Sequence, residues 1–242
     1  MRASIAWPLP FAFATATTCL VGGEATGAES DVTLAALLPK LATSSERFES
    51  MLRKASYSVV GHMESVDHDG VVSDRKDIVF RVRTVGARQR IDVAKYTEDG
   101  RDKTEKAREK AREDEEEEED PDERAHMPFL GSEQAKYTFK IVEIDTHDRG
   151  RVRVYFTPKH PKIPLVVGSA WVDSRTGDVL SMGVSPAKTS LFVDYFRVTL
   201  EFGEHTPMGL AVSKIRFDGS GGFLFFHKRF RGFATLSDYT LP

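Results

Sequence analysis

The chain of 242 residues reads as a mainly β protein of the α+β kind, with one helical segment at the start and about eleven antiparallel strands behind it. Three observations predict that class. Apolar residues recur at helical spacing between Asp31 and Ala55; segments of period-two alternation fill most of the remaining chain; and nearly every connection between them is short and rich in Gly, Pro, Asp or Ser. Short connections join antiparallel neighbours, because a parallel crossover needs a dozen or more residues.

The N-terminus predicts export. Met1-Arg2 precedes an alanine-rich apolar stretch from Ile5 to Gly22, and Thr26-Gly27-Ala28 is a small-residue site of the A-x-A kind. Residues 1–28 are therefore read as a secretory signal peptide and 29–242 as one exported domain. A membrane anchor is the alternative, since Ile5 to Val21 is nearly long enough to span; Pro8, Pro10 and the small residues before Glu29 favour cleavage. The single cysteine, Cys19, falls in this segment, in a context that matches a lipoprotein processing site poorly. A chain starting at Glu29 has no thiol, which excludes disulfides and thiolate metal sites.

In the helical segment Leu34, Leu37, Leu38 and Leu41 share one stripe. Pro39 is expected to kink or divide it, and Thr43 with Glu46 fits a capping box that would start a second piece carrying Phe48, Met51 and Leu52 inward. Strands are predicted over Ser56–Gly61, Asp77–Thr84 and Arg88–Tyr96, the first two separated by Asp67-His68-Asp69-Gly70.

The pattern breaks at residues 98–124. Fifteen acidic residues there face seven basic ones, a net of −8, whereas the whole chain carries −3. Glu105 with Arg108 and Glu109 with Arg112 would support a solvated helix, and the run from Glu113 to Asp120 repels itself and should fray. This reads as a charged insertion in a loop between strands. A solvated loop is its plain reading; docking a basic partner or chelating cations is the sharper one.

Strands resume at Tyr137–Ile144 and Arg151–Thr157. Pro158, Pro161 and Pro164 keep the next segment open, and Val166–Asp173 and Asp178–Val184 form a hairpin about Ser174-Arg175-Thr176-Gly177. From Phe196, the residues Phe196, Val198, Leu200 and Phe202 alternate with Arg197, Thr199, Glu201 and Gly203, placing one face in the core and the other in water. A turn at Thr206-Pro207-Met208-Gly209 leads into LAVSKIRF. The cluster Asp218-Gly219-Ser220-Gly221-Gly222 is read as the next hairpin connection, with an aromatic strand after it that Gly232 relaxes and a last strand over Phe233–Tyr239.

No catalytic constellation emerges, so an enzyme is not expected. The histidines lack zinc-site spacing, and H-E-x-x-H, G-x-S-x-G, P-loop and G-x-G-x-x-G patterns are absent. Asp67-His68-Asp69 reads as turn polarity rather than a metal site, and no cofactor is implied. Lys228, Arg229 and Arg231 beside Phe226, Phe230 and Phe233 form a two-faced strand rather than a nucleic-acid surface.

Val154-Tyr155-Phe156-Thr157-Pro158-Lys159 precedes Ser169-Ala170-Trp171-Val172-Asp173, Thr176-Gly177 and Val179-Leu180. This order resembles the mid-chain pattern of the LolA/LolB superfamily of periplasmic lipoprotein carriers and outer-membrane lipoprotein-sorting proteins. The later strands, Val193–Phe202 and Leu210–Phe217, are similar to its closing half. The acidic insertion departs from the family pattern, and the arginine thought to gate the lid of LolA has no counterpart assigned here. The resemblance implies a single curved antiparallel sheet forming an incomplete barrel, covered by the N-terminal helix over an apolar cavity for acyl chains. It implies a non-catalytic monomer that carries or senses lipid or lipoprotein acyl chains and needs no stable membrane association. The candidate cavity residues are Phe80, Phe139, Phe156, Trp171, Phe196, Phe202 and Phe225, each on a predicted strand and each equally compatible with plain core packing. The rival expectation is an envelope interaction protein whose barrel is filled by its own side chains and whose acidic insertion docks a partner.

Overall fold

The computed structural model describes residues 32–67, 69–85, 88–116, 126–188, 193–223 and 226–242. The segment read as a signal peptide, Cys19, Phe225 and the end of the acidic run lie outside them. Helix α1 spans Leu34–Lys54 and leads into β1 Ser56–Val66, β2 Val72–Val85, β3 Arg88–Glu98 and the two-residue β4, Arg101–Asp102. Helix α2 (Thr104–Glu116) and the short α3 (Gly131–Gln134) come next. The remaining strands are β5 Tyr137–Ile144, β6 Arg151–Pro158, β7 Val166–Asp173, β8 Val179–Pro186, β9 Val193–Thr206, β10 Gly209–Phe223 and β11 Phe226–Thr240.

All eleven strands form one antiparallel sheet in the order β4-β3-β2-β1-β11-β10-β9-β8-β7-β6-β5. The two edges, β4 and β5, do not pair with each other, so the sheet is a half-barrel rather than a barrel. The first and last strands of the chain meet near its centre, Ser56 opposite Thr240 and Val66 opposite Arg229. Alternation sorts the two faces. One row on the inner face crosses ten strands in register: Tyr96, Ile78, Gly61, Ala234, Ile215, Leu200, Met182, Ala170, Val154 and Ile141. On the outer face a corresponding row alternates in charge, with Arg75, Glu64, Arg231, Asp218 and Arg197 on five adjacent strands. Opposite charges directly across a ladder support the pairing.

Helix α1 is continuous over Leu34–Lys54, which corrects the expectation of a division at Pro39. Thr33 caps its start, its hydroxyl accepting from the Ala36 N–H at 3.3 Å. Thr43 starts no second helix; its hydroxyl donates to the Pro39 carbonyl at 3.1 Å. Leu37 before Pro39, and Leu41 and Met51 after it, are all buried, and that burial outweighs the local cost of about 3 kcal/mol for an interior proline.

The glycine cluster 218–222 is not a turn. These residues lie within β10, paired with β11 and β9, and the hairpin comes after Phe223. The glycines make room for rings: a Cβ on Gly219 would sit 2.5 Å from the Phe230 ring and 2.9 Å from that of Phe196, and one on Gly232 would sit 2.5 Å from the Phe217 ring. Side chains of neighbouring strands thus lie flat on bare backbone. For the same reason Gly232 does not divide the final segment, and β11 runs unbroken through Phe233–Tyr239.

The acidic insertion also differs from expectation at its start. Helix α2 is docked, not merely solvated, with Ala107 buried against Val93 and Tyr96 and Ala111 beside them. Arg108 donates to the Val93 carbonyl at 2.8 Å and pairs with Glu105 at 2.6 Å. Among the described residues no helix is long and apolar enough to cross a membrane.

Candidate functional site

The inner face of the sheet is apolar from β5 to β3, and three pieces of chain lie on it. Helix α1 crosses β10, β9 and β8, the segment Met127–Gln134 fills the space over β5 and β6, and α2 covers β3. Phe129, fully buried, is the plug of the second piece. Its ring stacks at 5.7 Å on Phe139 and meets Phe156 edge-on at 5.3 Å, and Tyr137 stands 6.2 Å from Phe156. Burial raises the Tyr137 pKa, so the phenol stays neutral and accepts from the Val166 N–H at 3.2 Å.

The covering pieces are tied to each other and to the rim by polar contacts. At the outer edge of α1, Lys40 donates to the Ser174 carbonyl at 3.0 Å, and Ser44 donates to Asp178 at 2.8 Å. Arg47 reaches the same Asp178 carboxylate at 3.5 Å. Gly177, at φ +80°, brings the β7–β8 turn so close that a Cβ there would lie 2.5 Å from the Lys40 carbonyl carbon. On the other side Gln134 donates to the Leu38 carbonyl at 2.9 Å and to that of Phe129 at 2.8 Å, while Glu49 accepts from the Met127 N–H at 3.3 Å. At the C-terminal end of α1, Tyr239 donates to the Val212 carbonyl at 2.8 Å and stacks on Tyr57 at 5.1 Å. Burial pushes both phenols above their ordinary pKa.

Between α1 and the sheet a cleft of about 10 Å³ remains, walled by Phe48, Met127, Phe202 and Leu210, with Ser44 and Asp178 at its rim. That is room for roughly one water molecule. Ser45 also lines it. Its hydroxyl is buried and has no hydrogen-bond partner.

The candidate residues fall into separate groups rather than one lining. Phe139 and Phe156 meet around Phe129. Phe202, 8 % exposed, packs edge-on against Phe48 at 5.2 Å in the wall of the cleft. Phe196 lies over Gly219 beside Phe230, ring to ring at 5.7 Å. Phe80 is half-buried and touches both the main core and the cluster under α2. Trp171 belongs to the other face, which corrects its assignment to the cavity. Its neighbours Ala170 and Val172 are the buried ones, so alternation turns the indole outward, opposite Arg153 and Ser181. Phe225 lies outside the described residues.

Two features were missed by sequence reasoning. Met127-Pro128-Phe129-Leu130 carries the plug, and its signal is a short apolar run between the acidic tract and the next strand. Ser45 stands four residues after Leu41 on the buried stripe, where a polar residue breaks the pattern.

The outer face holds a second, shallow feature. His62 lies 2.7 Å from Asp77 and 3.5 Å from Glu64, which also pairs with Arg231 at 2.9 Å and Arg75 at 3.4 Å. Val60, Val79 and Phe233 make an open depression beside this cluster.

No family model matches this chain, and no curated protein matches it. Solved structures do. A LolA superfamily protein from Nitrosomonas europaea is similar at 8 % identity over 85 % of this chain and 93 % of its own, with a TM-score of 0.36. A putative outer membrane lipoprotein-sorting protein domain from Vibrio parahaemolyticus is similar at 11 % identity over 84 % and 91 %, with a TM-score of 0.40. The MucA/MucB complex of Pseudomonas aeruginosa supplies a further match, at 10 % identity over 81 % and 94 %, with a TM-score of 0.23. A helix laid over a single open antiparallel sheet is the arrangement that the sequence resemblance implies.

Proposed function

We propose that this protein is a periplasmic, non-catalytic carrier or sensor of acyl chains from lipids or lipoproteins, and that α1 is its lid. One observation carries the reading. The broad apolar inner face is closed by a helix whose ties to the β7–β8 rim are few, polar and peripheral. Water can replace those ties when α1 lifts, and an acyl chain can replace the leucines that leave the sheet, each buried methylene contributing about 0.8 kcal/mol. With α1 seated the cleft holds no more than a water, so loading requires the helix to move.

The tightness of that interior favours a second reading, in which the half-barrel is filled by its own side chains and the acidic insertion docks a partner. A lock on α1 separates the two. In a Cys19→Ser background, Ser44→Cys with Asp178→Cys should tie the lid to the rim when oxidised. Under the carrier reading, a fluorescent fatty acid binds the reduced protein near one per chain and is excluded from the oxidised form. Failure of the reduced protein to bind rejects it in favour of the filled sheet, and equal binding by both forms rejects α1 as the lid.

A further inference from the structure

We infer that Ser45 is a polar anchor for the ligand, donating its hydroxyl hydrogen to the carbonyl of an acyl ester or amide; this rests on the carrier reading above. Buried hydroxyls in folded proteins have partners with few exceptions, and each exception calls for an account. Ser45 is 1 % exposed and unpartnered. It occupies the inward stripe of α1, one turn beyond Leu41, in a position that an apolar residue would fill at no cost. Its neighbour Ser44 is engaged with Asp178 at the rim, so the two adjacent hydroxyls differ in role. The cleft walls are otherwise Phe48, Met127, Val179, Phe202 and Leu210, apart from the polar rim of Ser44 and Asp178.

That arrangement suits a molecule with a long apolar tail and one carbonyl near its end. The tail would take the place of side chains on the inner face, and Ser45, close to the rim, would mark where the tail meets the polar part of the ligand. A pure hydrocarbon would leave the hydroxyl unpaired. Selectivity for an acyl group over an alkyl group then comes from one hydrogen bond, since a site with a buried donor discriminates against an analogue lacking the acceptor.

The test uses two lysolipids that differ in that carbonyl: 1-palmitoyl lysophosphatidylcholine and its 1-O-hexadecyl ether analogue. They are offered together, below micelle-forming concentration, to the full-length protein, and the bound ratio is read by native mass spectrometry. The expected result is a preference of roughly three- to tenfold for the ester in the unaltered protein, lost in Ser45→Ala, which still binds the ether form as before. Equal binding of both lipids by the unaltered protein, or a preference that survives Ser45→Ala, overturns the anchor while leaving the carrier reading intact. Binding of neither lipid rejects the carrier reading itself, and the anchor with it.

Discussion

The inner face is covered twice, and the two covers differ in kind. Over β5 to β10, α1 and the Phe129 segment bury leucines, a methionine and fully enclosed aromatic rings, in a cluster continuous with the main core. Over β3, α2 buries little more than the methyls of Ala107 and Ala111 and holds on through Arg108 and the Thr104 hydroxyl, which accepts from the Tyr96 N–H at 3.0 Å. The first is lined by side chains of the main core, so it can lift only where a ligand takes their place; the second can leave with nothing replacing it.

The sharpest way to break this contrast is Phe129→Ala. Losing a ring packed against Phe139 and Phe156 should cost about 3–5 kcal/mol, lowering the thermal unfolding midpoint of the whole domain. A drop confined to residues near 127–134 would show that the plug is no more than a second cap. Next comes Gly177→Ala, where φ +80° and the close approach of Lys40 leave no room for a Cβ. It should cost about 1–3 kcal/mol and speed amide exchange in α1 while β1 and β11 stay protected. Ala107→Glu should release α2 for about 1–2 kcal/mol, read as lost protection over Thr104–Arg112 with α1 unchanged; a joint loss would mean the two covers are coupled through Phe80.

The smallest effect lies on the outer face. The Asp77 hydrogen bond, with its charge and that of Glu64, holds the His62 pKa above its ordinary value against partial burial. A raised folded pKa means that the stability contributed is fully present below the unfolded value of about 6.5 and is lost as pH rises through the folded one. His62→Asn should flatten that part of the stability profile, seen in denaturation midpoints across the window, and leave the alkaline end unchanged.

How legible is this in the sequence? Strands such as Tyr137–Ile144 and Val166–Asp173 can be read to the residue, the first because Tyr137, Phe139 and Ile141 alternate with polar side chains, the second because a proline-rich segment and the Ser174-Arg175-Thr176-Gly177 turn bound it. Local rules mislead wherever tertiary packing overrides them. Pro39 breaks isolated helices, yet leucines buried on both sides of it keep α1 whole. Asp218 to Gly222 has turn composition, yet within it Gly219 serves as a bed for Phe196 and Phe230. The size of Trp171 suggests a cavity wall, although its own neighbours Ala170 and Val172 place it outside. The site is the least legible part: an orphaned hydroxyl is a property of surroundings, and only the unexpected serine on the stripe of α1 hints at it.

The pairing of β1 with β11 has a consequence in time. Ser56 must find Thr240 before the strands β1 to β3 have any neighbour to complete the sheet. A closure spanning so much of the chain is slow, and pairing of such distant segments leaves edges exposed until it is done. The first strands to be synthesised are thus the last to be secured. A polypeptide arriving end-first, as across a membrane, would have to keep its opening meander waiting, unpaired and in need of protection, until its final fifteen-residue strand, Phe226–Thr240, came through.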